Sequence, residues 1–406
     1  MSDFKGRPLG GVEKLYLALN EIFVKTFAIV AELGSKIPEN SIRPALNELS
    51  KRHPQLKYRI AEDDQFQFWF ISDADSVIPF RIIQIEDKAD WPETVAAELT
   101  NSFDLSRAPL FRVVVLQKQS NSVLIMLSNH SIGDGMSVSF ALRDFLKILS
   151  GMKSGTLPVP LSMDESLNEI SFPVPDFSPV GLGSLGRRDK NTGASIYINK
   201  LQFSEAFTNA LADRSRNEST TVNGALNAAV AIAMSKIDGR FSGRPLVTRS
   251  PVSARKALNI DDDYALNVIT KNLDVNPADH QDFWEFARII TSELNGAPSI
   301  EQVRGYVKYF RSRILQPVPF AQIVKGIEAT IGTDFMVSNL GRIEEESFGE
   351  YRIESLWGPI VISGTGAEQT VGAVTISGKL SLTNISLSEM PALLTETAGV
   401  LSAAVR

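Results

Sequence analysis

Leu127-Ser128-Asn129-His130-Ser131-Ile132-Gly133-Asp134-Gly135 is the stretch on which the reading of this chain turns. Two apolar runs precede it, at 111–116 and 123–127, with a polar break between them. That is a hairpin pattern, and the unbroken apolarity of the second run marks a strand covered on both faces. After it, Val138, Ala141, Leu142, Phe145, Leu146 and Leu149 recur at helical spacing, predicting a helix laid on a core. His130 therefore falls where a buried strand ends and a helix is about to start. Such a position holds a side chain rigidly while leaving it reachable from a cavity. Asp134 is placed to N-cap the helix, and Gly135 lets the backbone pass closely there. Two readings share these residues: His130 as a general base, or as a satisfied structural histidine beside a capping aspartate.

Outward from this stretch, strand and helix signals alternate. Strands are predicted at 27–31, 66–71 and 80–85, and helices at 42–49 and 91–99. From 150 to about 190 the pattern dissolves into Pro, Gly, Ser and Asp, a long crossover between two halves. The second half resumes with a strand at 196–203, helices at 204–215 and 221–235, and a strand at 246–252. Helices at 283–294 and 303–315 follow, then four strands near 333–338, 350–357, 369–376 and 379–386, and a terminal helix from about 390. The class is mixed α/β, divided as 1–150, a linker at 151–190, and 191–406.

Composition narrows the chemistry. Lys and Arg total 41 against 47 Asp and Glu, a formal net charge of −6, which argues against a nucleic-acid protein. Zero cysteines exclude disulfides, a thiolate nucleophile and cysteine-ligated metal. Three histidines, His53, His130 and His280, are the candidates for acid–base work near neutral pH, and the first and last look structural. The N-terminus lacks the pattern of a secretory signal, and no apolar run is long enough to span a bilayer. The expectation is a cytoplasmic, monomeric protein.

Other motifs carry less. Gly181-Leu-Gly183-Ser-Leu-Gly186 matches G-x-G-x-x-G, but it follows a Pro-rich stretch and not a strand, so it reads as linker. Asp261–Asp263 and Glu344–Glu346 read as solvated loops, since consecutive carboxylates rarely converge on one ion. No metal site is expected.

At His130–Gly135 the chain resembles the H-x-x-x-D-G signature of the CoA-dependent acyltransferase superfamily, which includes chloramphenicol acetyltransferase, BAHD acyltransferases, alcohol acetyltransferases, polyketide-associated acyltransferases and condensation domains. Further matches occur in the family's order. Leu46 to Leu56 is similar to a helix ending in R-H-P-x-L, and Phe103 to Arg112 to the stretch before the hairpin. Thr221 to Leu226 is similar to the start of a second-half helix. Pro251-Val-Ser-Ala-Arg255 resembles the P-V-x-x-R strand end, and Asp334-Phe-Met-Val-Ser-Asn-Leu-Gly341 the D-F-x-x-S-N-x-G segment.

The resemblance implies two chloramphenicol-acetyltransferase-like lobes in a V shape around a central tunnel. His130 would act as general base, and Asp134 would form a structural ion pair with Arg255 from the second lobe. Ser338 or Asn339 is the candidate donor for the oxyanion. No cofactor would be held permanently, and acyl-CoA would serve as co-substrate. The leading expectation is transfer from a CoA thioester to an alcohol, or to an amine, as small-molecule acceptor. Two alternatives stand beside it: an acyl chain tethered to a carrier protein as donor, and a member that binds an acyl compound without turnover. Arg187, Arg188 and Lys190 suit either donor, as partners for CoA phosphates or as a carrier docking surface. Asn129 stands where condensation domains commonly carry a first histidine, which tilts the reading towards a free-standing O-acyltransferase.

Overall fold

A computed structural model describes residues 6–63, 67–169, 195–280, 282–294, 296–314, 319–328, 332–344, 348–363 and 368–406. The G-x-G-x-x-G match, Arg187, Arg188, Lys190 and Glu345–Glu346 lie outside the described residues.

The run at 123–127 becomes the strand Ser122–Asn129, buried along its whole length. It is the middle strand of a five-stranded sheet ordered Ile353–Val361, Thr26–Leu33, Ser122–Asn129, Phe111–Gln117, Phe80–Gln84. Its pairing with Phe111–Gln117 is the expected antiparallel hairpin, with Phe111 opposite Ser128. Period-two alternation then sorts the side chains. Phe27, Ile29, Ala31, Val113, Leu124 and Met126 join one core. Their strand neighbours Ala28, Val30, Val114, Val123, Ile125 and Leu127 join another, on the opposite face. The first face is covered by the helices Glu39–Arg52 and Gly135–Leu149, through Leu46, Leu49, Val138, Leu142 and Phe145. On the second face lie Val95 and Leu99 of the helix Pro92–Thr100 and Trp91, which precedes it.

A six-stranded sheet runs Val268–Val275, Leu246–Ser253, Phe335–Arg342, Gln369–Ile376, Lys379–Ser386, Tyr197–Gln202. The helices Val222–Ile237, Phe283–Leu294 and Leu393–Val405 supply residues to the core on one face, together with Phe335, Val337, Val371 and Ala373. A third sheet of three strands holds Gly6–Pro8, Phe68–Ser72 and Tyr58–Glu62.

One element crosses between the halves. Ile353–Val361 comes from the 191–406 part of the chain but pairs antiparallel with Thr26–Leu33 in the first-half sheet. Several elements are absent from the sequence expectation, three of them for clear physical reasons. The helix Gly11–Ile22 starts at glycines, and its capping comes from Glu13, which accepts a hydrogen bond from Gly10 N–H at 2.8 Å and pairs with buried Arg7. The strand Val268–Val275 reads V-I-T-K-N-L-D-V, too polar to stand out. The helix Phe320–Glu328 buries only Phe320 and Ile323.

Candidate active site

His130 begins where Ser122–Asn129 ends. Its backbone N–H donates to the Lys25 carbonyl at 2.8 Å, tying the loop to the residue before Thr26–Leu33. The ring sits between Tyr16 and Phe27, with centroids at 4.4 and 4.6 Å. Nδ1 lies 3.0 Å from the Gly133 carbonyl oxygen. A carbonyl only accepts, so Nδ1 carries the hydrogen and Nε2 holds the lone pair of the neutral ring. Burial, with a smaller push from Lys25, lowers the imidazole to about 4 against the opposing pull of Asp134. The ring is therefore neutral at pH 7, and it lines a cavity of about 840 Å³.

Asp134 serves the other side of the loop. Its Oδ1 accepts from Ser137 N–H at 3.0 Å, capping Gly135–Leu149 as expected. Its Oδ2 accepts from Arg255 Nη1 at 2.7 Å and from Asn267 N–H at 2.9 Å. Burial opposes its ionisation, but Arg255 and these hydrogen bonds prevail and hold the carboxyl below its ordinary range. The ion pair between Asp134 and Arg255 is thus present and buried, and Arg255 reaches it from the second half of the chain. Arg255 Nη2 also donates to the Ala265 carbonyl at 2.9 Å.

Glycines make the loop fit. A Cβ on Gly135 would meet Leu340 at 2.8 Å and Pro359 at 2.9 Å, and one on Gly133 would meet the Tyr264 ring at 2.7 Å. Asn129, in place of a first histidine, is buried and pins the turn. Its Oδ1 accepts from Ser131 N–H at 3.0 Å, and its Nδ2 donates to Asn20 Oδ1 at 3.2 Å.

Ser338 and Asn339 lie on Phe335–Arg342, and both line the cavity. Phe335 and Val337 face the helical core, so alternation turns Met336 and Ser338 towards the cavity. Asn339 Oδ1 accepts from Gly341 N–H at 2.8 Å, which occupies the amide oxygen. Asp334, at the head of this segment, pairs with Arg244.

The Arg52-His53-Pro54 match acts at a distance from the cavity. Arg52 and His53 both bond Asp144, on the helix that Asp134 caps, and burial lowers the His53 imidazole against the pull of that carboxylate. His280 stacks on Phe286. The reading of Asp261–Asp263 as a solvated loop needs correction. Asp262 pairs with Arg143, and Asp263 accepts from Asn267 Nδ2 and sits 3.4 Å from Arg255 Nε. Burial raises Asp263 to about 6. The arginines and the amide that hold these carboxylates lie remote in sequence from the acidic run or look unremarkable beside it.

Four residues on the cavity wall were not legible in the sequence: Tyr16, Lys25, Arg249 and Tyr306. Among the described residues no helix is long and apolar enough to cross a membrane. No group of three or more His, Asp or Glu side chains among them is placed to hold a metal ion.

This geometry has relatives. Residues 23–165 match the Condensation domain family model. A plipastatin synthase polypeptide of Bacillus subtilis (strain 168) is 31% identical over 134 residues, which is 32% of this chain and 5% of that protein. The chain thus spans about a twentieth of that relative's length. Among solved structures, the first condensation domain of the CDA synthetase superposes with a TM-score of 0.68 at 13% identity, covering 99% of this chain and 96% of that one. TRI101 of F. graminearum, complexed with coenzyme A and T-2 mycotoxin, gives 0.66 at 14% identity, covering 98% and 97%. The chain has the chloramphenicol-acetyltransferase-like fold that condensation domains and CoA-dependent acyltransferases share. Residues 23–165 carry the condensation-domain match.

Proposed function

We propose that this protein transfers an acyl group from a thioester to a hydroxyl or amine acceptor, with His130 as general base. The observation that carries the proposal is a neutral imidazole on a cavity wall, with Nδ1–H spent on Gly133 and Nε2 left as the basic nitrogen. Nε2 takes the acceptor's proton as its oxygen or nitrogen bonds to the thioester carbonyl carbon. The tetrahedral oxyanion collapses, the C–S bond breaks, and the imidazolium returns the proton to the departing thiolate. No enzyme-bound acyl group is required. Ser338, or the amide N–H of Asn339, is the proposed oxyanion donor. The Gly341 N–H bond to Oδ1 of Asn339 supports this reading, because it leaves the Nδ2 hydrogens as the groups the amide can offer.

On the donor, the relatives shift the order of expectation. The sequence alone put CoA first, yet the curated relatives are peptide synthases, and the alternative of a carrier-borne acyl donor has the better support. A CoA donor is the second reading, favoured by the coenzyme A held in the TRI101 structure. Amide formation gains weight over ester formation on the same grounds.

The deciding experiment offers purified protein matched acyl-carrier and acyl-CoA donors with a panel of amines and alcohols, and reads thiol release and product mass. Product from the carrier donor is expected. Product from acyl-CoA alone moves the donor to the second reading. Folded protein that binds acyl donors without turning over either one would establish the binding-only alternative.

A further inference from the structure

The cavity beside His130 carries charge of one sign. Lys25 and Arg249 stand on its wall, with Arg313 more exposed at its edge. Among the described residues of the wall the one carboxylate is Asp134, already committed to Arg255 and two backbone N–H groups. Lys25 is 5% exposed, and its ammonium donates only to the main-chain carbonyls of Ile362 and Ser363, at 2.9 and 3.2 Å. Arg249 projects from Leu246–Ser253 on the same face as Pro251 and Ser253, and its Nε donates to Asn272 Oδ1 at 3.1 Å. The polar partners of both cations in these bonds are neutral.

Such an arrangement costs stability. Lys25 is buried and Arg249 half-buried; a buried cation is rarely left without an anion, and a second cation on the same wall repels it. The effect is visible on Lys25: burial, then Arg249, brings its ammonium down to about 7, while Glu368, which is not on the cavity wall, opposes. An anionic ligand group would remove both costs, accepting charge-assisted hydrogen bonds from the ammonium and the guanidinium. Around it, Tyr16, Tyr306 and Phe310 offer an apolar and aromatic surface for the rest of the molecule.

We infer that the cavity takes a freely diffusing acceptor bearing a carboxylate, a hydroxy acid or amino acid, with Lys25 and Arg249 as its anion clamp. That the bound acid is an acceptor rests on the acyl-transfer reading above. The chemistry distinguishes two kinds of acceptor. An aminoacyl group tethered to a carrier has spent its carboxylate in the thioester and offers these cations nothing. A free acid keeps it, and a clamped carboxylate would hold the neighbouring hydroxyl or amine towards His130.

The test measures binding without any thioester donor, so it succeeds or fails independently of turnover. Intact protein is titrated calorimetrically with three matched pairs: phenyllactate, phenylalanine and hydroxybutanoate, each against its methyl ester. At least one acid should bind roughly tenfold to a hundredfold more tightly than its ester. Arg249→Gln should remove most of that preference, and Arg249→Lys should restore much of it. Lys25→Met, checked for an unchanged melting temperature, should do as Arg249→Gln does. Equal affinity for acid and ester in every pair overturns the inference, as does a preference that survives Arg249→Gln. Coenzyme A is titrated in parallel. If Arg249→Gln weakens coenzyme A while leaving the acid–ester ratio unchanged, the cations serve donor phosphates and the acceptor assignment fails.

Discussion

His130 and Asp134 sit four residues apart in one loop, and their surroundings do opposite things to them. Burial disfavours the charged form of each. Asp134 meets Arg255, Ser137 N–H and Asn267 N–H, enough to keep it ionised in the interior. His130 meets two aromatic rings and a carbonyl, so burial prevails and the ring stays neutral. The lesson is that a signature of fixed spacing joins two separate jobs. One side chain keeps a ring nitrogen with no hydrogen bond assigned to it, and the other has both carboxylate oxygens fully engaged.

That contrast can be broken at either end. The largest effect is expected from His130→Ala, which should lower the transfer rate by about 10²–10⁴-fold while leaving the denaturation midpoint nearly unchanged. Equal rates from variant and parent would remove His130 from the chemistry. The same residue sets the pH dependence. With the imidazole held at about 4, kcat/KM should stay flat from neutral pH down to about pH 5 and fall as pH drops through about 4. A midpoint near the ordinary histidine value of about 6.5 would contradict the partly buried, neutral ring.

Asp134→Ala should show the reverse pattern, a loss of about 3–5 kcal/mol in urea unfolding, because buried Arg255 loses its nearest anion and keeps only Asp263 at 3.4 Å. Arg255→Met should cost a similar amount. The double variant should lose less than the sum, since it leaves neither charge stranded. Unchanged stability in Asp134→Ala would show that the pair does not hold the halves together. Its carboxyl is depressed in the folded state, so the stability it contributes is present above the unfolded value of about 3.9 and is lost as pH falls through the folded value.

Gly135→Ala should cost roughly 1–3 kcal/mol, since Leu340 and Pro359 must give way. The smallest effect is expected from Asn129→Ala, about 1–2 kcal/mol, because Ser131 N–H loses its buried acceptor. If Asn129→Ala cost more than Asp134→Ala, the ranking of the loop's two anchors would be reversed.

Much of this site was legible in the sequence. The unbroken apolar run before His130 and the helical spacing after it placed the residue at a strand end. The fit of Asp134 to an N-cap follows from its position alone, and the pairing with Arg255 came from the resemblance. What stayed hidden has a common cause. Lys25 in Phe-Val-Lys-Thr and Arg249 in Val-Thr-Arg-Ser read as ordinary solvent-facing charges, because period two marks a face and does not say what lies opposite. Asp261–Asp263 misled in the same way: a local acidic run says nothing of the arginines that reach it from 143 and 255.

The sequence by itself determined most of the elements, the strand–loop–helix setting of His130, and the lack of a cysteine nucleophile in this chain, because periodicity, capping and composition are local properties. Only the tertiary structure decided that Ile353–Val361 would complete the first-half sheet and that Val268–Val275 would help wall the cavity. It also decided that Lys25 and Arg249 would share that space with no carboxylate among the described residues bonded to either. Those outcomes depend on which faces meet across hundreds of residues, and burial gives each charge its meaning only after they have met.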